Sequence, residues 1–506
     1  MPHEFRSIDI DGVPVFHPGE PVDRDHLTAV LMFRVGLGDE PLNAAGITHV
    51  IQHLVMSRLR SSGIADPHSN ASVDLLITQF RYTGRTDEVA GFLRDVCRSI
   101  GSLDLSRLGV EQQVIHAEAD RRGYSVLGEL ATWRYGVAGP GRLQWQDLGV
   151  SQLAAGPVAS WAAENLTTGN AALFLSGPPP RGLELTLPPG PRRDLPTWPQ
   201  VRPTPAWFPL NLVGRAAISA VIDGSTAATA YANVLAQRLR AARLLSYEQG
   251  VQYLPLGPEQ TIIVVFADHA PYDQQRLADA LGVTFRSMAQ RAASPAELDA
   301  WLSAYSDGSG RAAALALAAA RDTLLGSKVI DDDELRRRVD TVTPDDILDV
   351  AEHACRHALY AVPKGVYSVG HGVEPVTPSG TSPIGRPTNP WHVWWSHDFR
   401  ADRGRLYVSD VGVGLFRHDR HTLSVRWRSC AAMVRWADGG RALVTHDGAV
   451  LPVEPTMWAR GAKLTALLDE RVPADRHIRL PAREQTAIPQ PTHRFRRWQR
   501  HTTPSR

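Results

Sequence analysis

Cysteine is scarce in this 506-residue chain, which has only Cys97, Cys355 and Cys430. They are far apart, odd in number and outside any CxxC spacing. That argues against a disulfide framework and a cysteine-built metal site. Long apolar runs are missing as well. The most alanine-rich stretch, Ala312 to Ala320, is too short to span a bilayer. The opening MPHEFRSIDIDG lacks the basic and then apolar pattern of a signal peptide, so the expected location is the cytoplasm, with no transmembrane segment. An excess of one charge is also missing. The net charge of +1 provides no overall field to select nucleic acid or an anionic membrane. One local exception is His493 to Arg500, HRFRRWQR, within a tail over 486–506 that reads as solvated.

Hydrophobic residues make up 43% of the chain, enough for packed cores. Two proline-rich stretches, about 176–209 and 369–390, read as joints, because proline removes donors and fixes φ. They leave expected domains at 1–180, 206–366 and 391–485. The first two mix strands and helices and read as α+β. His26 to Val35 reads as a buried strand and Gly46 to Leu59 as a helix, with apolar spacing at Ile47, Val50, Ile51, Leu54 and Val55. Ser72 to Thr83 reads as one strand and Val89 to Ile100 as a helix. In the second domain Ala216 to Ile222 and Thr261 to Ala267 read as strands, and Ala227 to Leu244 as a helix. Thr343-Pro344-Asp345-Asp346 reads as a capped helix start. The third domain alternates short strands with turns and ends in a helix from about Met457 to Glu470. It reads as a small β-barrel or sandwich with its tryptophans, Trp394, Trp395, Trp427, Trp436 and Trp458, in the core.

His49 and His53 are four apart on the predicted helix, so both face one way and can reach one zinc ion. With 19 histidines, about 0.7 such pairs arise by chance, so the surroundings must decide. The segment RVGLGDEPLNAAGITHVIQHLVMSR, Arg34 to Arg58, resembles the insulinase/pitrilysin-type zinc metallopeptidases. There a strand and a glycine-rich acidic turn lead to an HxxEH helix, the inverse of HExxH. VEQQVIHAEADRR supplies Glu111 and Glu118 seven residues apart, two helical turns, as in that family. The resemblance implies Zn2+ held by His49, His53 and Glu118, with Glu111 orienting the site. It implies that Asn70-Ala71, before the strand, presents an edge to extended substrate. RLRAARLLSYEQG resembles the family's arginine-rich helix, which implies that Arg240 and Tyr247 hold the substrate. The likeness spans roughly Ser7 to Lys364. The third domain resembles pleckstrin-homology-like domains, which implies a protein- or lipid-docking module.

The departure is Gln52, which stands where the family has its catalytic glutamate. A carboxylate can take a proton from bound water and pass it on, whereas an amide near neutral pH cannot. Gln52 is either a natural loss of the base or a substitution made to trap substrate. The expected protein is therefore zinc-binding and peptidase-like, enclosing peptides or unfolded polypeptide in a chamber, with weak or absent proteolysis. The alternative is a non-catalytic peptide-binding or regulatory subunit of a heterodimeric metallopeptidase. The resemblance implies a dimer in either case, a homodimer or a heterodimer with an active homologue, with Arg240 and Tyr247 reaching the other subunit's site. His116 and Glu111 are the fallback bases for residual catalysis.

Overall fold

The structure is a computed structural model. It describes residues 5–23, 25–61, 68–210, 214–242, 248–268, 274–306, 310–370, 372–376, 380, 383–397, 404–417 and 420–491. The basic stretch 493–500 lies outside the described residues. The chain forms two compact units, the first running to Val376 except for Leu42–Ala44, which group with the second.

The first unit holds two sheets. The first is built from β1 (Phe5–Ile10), β2 (Val13–Pro18), β3 (Leu27–Phe33), β4 (Ser69–Val73), β5 (Thr78–Gly84) and β6 (Ala171–Leu175), in the order β1-β2-β6-β3-β5-β4. Its helices are α1 (Ile47–Ser61), α2 (Thr86–Gly101), α3 (Leu108–Arg121), α4 (Val126–Tyr135) and α5 (Ala155–Asn165). The apolar run read as a buried strand is β3, central between β6 and β5. The second sheet contains β7 (Ala206–Leu210), β8 (Arg215–Asp223), β9 (Gln249–Pro255), β10 (Gln260–Asp268), β11 (Leu359–Pro363) and β12 (Glu374–Pro375), in the order β12-β7-β11-β8-β10-β9. With it go α6 (Thr226–Ala241), α7 (Gln274–Ser287), α8 (Pro295–Ser306), α9 (Arg311–Leu325), α10 (Asp332–Asp340) and α11 (Pro344–Arg356).

The two sheets repeat one plan. Strands β2-β6-β3-β5-β4 match β7-β11-β8-β10-β9, each set with one parallel pair followed by antiparallel pairs. Helix α6 therefore occupies in the second lobe the place that α1 occupies in the first. The lobes also share a core. Helix α9 packs on β2 and β6, and its Ala316, Ala319 and Ala320 permit close approach to the sheets. Arg134, 1% exposed, donates to the Ser219 and His357 carbonyls of the second lobe at 2.9 Å each.

Two expectations need correcting here. Residues 72–83 are not one strand. The chain turns at 74–77, where the Asp74 N–H donates to the Ile77 carbonyl, and makes the β4–β5 hairpin. Leu75, Leu76 and Ile77 are all buried in the turn, so an alternating pattern was not diagnostic there. The stretch 176–209 does more than join domains: Leu183, Leu185 and Leu187 are buried, and Ala206–Leu210 is a strand.

The second unit stacks two four-stranded sheets. One is β13 (Val393–Trp395), β14 (Arg405–Val408), β15 (Gly412–Arg417) and β16 (Arg420–Arg426), in that order. The other contains β17 (Cys430–Trp436), β18 (Arg441–Thr445), β19 (Val450–Val453) and β20 (His477–Leu480), in the order β19-β18-β17-β20. Leu406, Val425, Met433, Leu443 and Leu451 fill the space between them, with Leu464 and Leu468 of α12 (Gly461–Arg471). Among the described residues no sheet closes on itself, so the barrel-or-sandwich expectation resolves as a sandwich. The helix is shorter than expected and is followed by β20, which runs parallel to β17. Trp394 and Trp458 are buried as expected, but Trp395 is 52% exposed.

Candidate metal centre

Helix α1 is fixed before its histidines are considered. Ile47, Val50, Ile51, Leu54 and Val55 are all buried, so several faces of the helix are packed. Its N-terminus is tied down by Glu40, whose carboxylate accepts from Gly46 N at 2.7 Å and Thr48 N at 3.0 Å. These are donors that the helix cannot satisfy itself. Burial pushes the Glu40 pKa up to about 8, against the opposing pull of those N–H groups and Arg142. Arg34, fully buried, pairs with Asp39 at 2.8 Å and fixes the preceding turn. Gly36 in that turn has no room for a side chain, since a Cβ there would lie 2.3 Å from the Asp74 carbonyl oxygen. The glycine-rich acidic turn is thus the mount that locks α1 against the β4–β5 hairpin.

On this mount His49 and His53 stand with ring centroids 4.8 Å apart. Glu118, reaching over from α3, puts Oε2 3.6 Å from His49 Nε2 and 3.5 Å from His53 Nε2. One ligand atom from each of the three lies within 4.8 Å of the others, close enough to share a metal ion. The far side of each imidazole is also occupied. His53 Nδ1 meets Glu111 Oε2 at 3.3 Å, and Arg107 holds the other Glu111 oxygen. His49 Nδ1 meets Asp147 Oδ1 at 3.0 Å, and Arg122 holds Asp147 Oδ2 at 2.6 Å. A carboxylate on Nδ1 fixes the tautomer that leaves Nε2 with a free lone pair, the usual support for a histidine metal ligand. Burial first, and then His49, lower the His53 pKa, while Glu118 and Glu111 pull the other way. The net shift favours the neutral ring. Two imidazoles and one carboxylate, each imidazole buttressed, fit a zinc ion with an open fourth position.

The other expected residues fall as follows. Gln52 is 7% exposed and lies on the same helix, one residue before His53. Asn70 and Ala71 lie in β4, the edge strand, which packs along α1. They belong to the strand itself and do not merely precede it. Arg240 is exposed on α6, where it helps line a cavity of about 610 Å³ with Asn233, Gly250, Tyr253 and Trp301. Tyr247 lies outside the described residues. His116 is turned to Ser151, 2.8 Å away. Sequence reading missed Asp147, which sits in an irregular turn with no local pattern to mark it.

No protein-family model matches the sequence, and no curated protein matches it. Solved structures do. A protease from Helicobacter pylori superposes with a TM-score of 0.59 at 15% identity, over 72% of this chain and all (100%) of that one. The first half of the periplasmic protease PqqL from Escherichia coli gives 0.56 at 13%, over 72% of this chain and 92% of that one. An inactive peptidase M16 domain from Pseudomonas fluorescens gives 0.56 at 13%, over 72% and 99%. Together with the duplicated α+β lobes, these likenesses give the chain the fold of the M16, insulinase-type peptidases.

Proposed function

We propose that the chain is a zinc-binding, peptidase-like protein that takes extended peptide and cleaves it weakly or not at all. The observation that carries this reading is the convergence of His49, His53 and Glu118, with a carboxylate behind each imidazole. Zinc held there would supply Lewis acidity and a water of lowered pKa. The rest falls to the chain's own groups. Strand β4 pairs only with β5 among the described strands, so its outer edge can add a peptide strand through main-chain bonds. Gln52 can hydrogen-bond but cannot carry a proton between attacking water and leaving amine. Arg240 and Tyr247 are assigned to substrate holding across a dimer.

The second reading is a non-catalytic peptide-binding subunit whose partner carries the intact glutamate. Gln52 favours it, as does the likeness to a domain described as inactive. One comparison tests both readings: the chain as given against Gln52→Glu, each zinc-loaded, on a mixture of short unstructured peptides, with cleavage read by mass. A gain of about 10²–10⁴ in rate for the glutamate form is expected. Equal cleavage by both would show that another group is the base. Cleavage by neither, with zinc bound to both, would leave the subunit reading.

A further inference from the structure

The near-neutral total conceals two opposite halves. The 130 residues after Val376 carry 21 Lys and Arg against 11 Asp and Glu, a net charge of +10, while the 376 before carry 33 against 42, a net charge of −9. The excess is not confined to the tail. The described residues of this second unit alone hold 14 basic against 8 acidic side chains. Four of those acids sit in ion pairs within the unit. Arg483 binds Asp438 and Glu454, Arg435 and Arg441 bind Asp469, and Arg471 binds Asp410.

One face of this unit combines charge with open aromatic rings. The register of β13, β14 and β15 places Trp395, Arg405 and Phe416 side by side in one row, while the adjacent row, Trp394, Leu406 and Leu415, turns into the core. The Arg405 guanidinium lies 4.1 Å from the Trp395 ring centroid. In the short turn just before β13, Trp391 is 71% exposed, with the Arg460 guanidinium 5.5 Å from its ring. Arg460 donates to the Trp391 and Val393 carbonyls at 3.2 and 2.9 Å and meets no carboxylate among the described residues. The surface therefore offers two indole–guanidinium pairs at the edge of a sheet in a strongly basic unit.

We propose that this face binds single-stranded nucleic acid, independently of the metal centre. Unpaired bases would stack on the exposed indole rings of Trp391 and Trp395, and Arg460, with the basic excess of the unit, would meet the phosphates. Paired bases hide their faces, so duplex fits the site poorly. A lipid surface fits it poorly too, because membrane docking needs a contiguous apolar ridge. Apart from these two tryptophans, the only exposed large apolar residues described in the unit are Val411 and Val450.

The test is fluorescence anisotropy of a labelled mixed-sequence single strand of about 20 nucleotides with the full chain, at about 50 mM and about 200 mM salt. Binding that weakens steeply with salt is expected. Trp391→Ala with Trp395→Ala should weaken it by about tenfold or more, while Trp391→Phe with Trp395→Phe, which keeps a stacking ring, should retain most of it. Unchanged thermal melting of both variants confirms that they fold. The proposal is overturned if the strand does not bind, if the alanine variant binds like the parent, if duplex of the same sequence binds equally, or if phosphatidylglycerol vesicles bind and the oligonucleotide does not.

Discussion

Asp147 stands behind His49 as Glu111 stands behind His53, and the pair shows how much of the site lies outside the candidate ligands themselves. Burial raises the Asp147 pKa, but the bonds from His49 and Arg122 outweigh it and hold the carboxyl below its usual range. Asparagine at this position would keep a hydrogen-bond acceptor for the ring while losing the charge and the Arg122 ion pair. Asp147→Asn is therefore expected to lower zinc affinity by about 10–100-fold, measured by competition with a metal-binding dye at a temperature where both forms are folded. Equal affinity would reduce Asp147 to a bystander. Spacing put His49 with His53 on one face of α1, and Glu111 with Glu118 on one face of α3, but at chance level; the resemblance of the surrounding segments is what singled these four out. Asp147 was not legible, since it is 98 positions from His49 and only the fold brings it there. Gln52 drew attention through the same resemblance, since the family that the segment resembles has a glutamate at that place.

Elements with strong local signals were read nearly to the residue. Thr343 caps α11 through Asp346 N, with Pro344 in the first turn, as the residue types dictate. The β4–β5 hairpin was misread because its turn carries Leu75, Leu76 and Ile77, which are buried in the cluster that the two lobes share and show no turn chemistry in the sequence. The clamp between α6 and α8 was not read either. Arg238, two residues before Arg240, makes two bonds to Glu297 at 2.8 and 3.1 Å and also donates to the Arg291 and Ala292 carbonyls. Arg238 holds the Glu297 carboxyl down to about 2 from an ordinary 4.5. The sign follows from which state binds the proton more readily. Below 4.5 the unfolded chain takes it up first, so the clamp's stabilisation is whole above that value and is lost as pH falls through about 2. Glu297→Gln should cost roughly 2 kcal/mol at neutral pH. In urea titrations the gap to the parent should shrink to less than half by about pH 3. A gap that stays constant with pH would show that the ion pair contributes nothing beyond its hydrogen bonds.

At the scale of the whole molecule, what mattered was pairing and partition, and a linear reading averages both away. The duplicated strand order was invisible because its parallel pairs, β2 with β6 and β7 with β11, join residues from opposite ends of each lobe. The opposed charges of the two units were present in the sequence but cancelled in the total. Partition also has a thermodynamic consequence. The lobes of the first unit share one buried cluster that runs from Phe16 to Ala361, so they are expected to melt together, whereas the second unit has its own core around Leu406, Met433 and Leu443. The three ligand candidates all belong to the first unit. A ligand bound only by the native state stabilises that state by about 2.7 kcal/mol at a hundredfold excess over its dissociation constant. Calorimetry of the full chain should therefore show two transitions, with zinc raising one and leaving the other in place. His53→Ala should abolish the shift without moving the second transition. If zinc moves both transitions together, the units fold as one cooperative body. If it moves neither, the geometry around His49 and His53 is an ion-pair network with no metal to hold, and the peptidase-like reading loses its support.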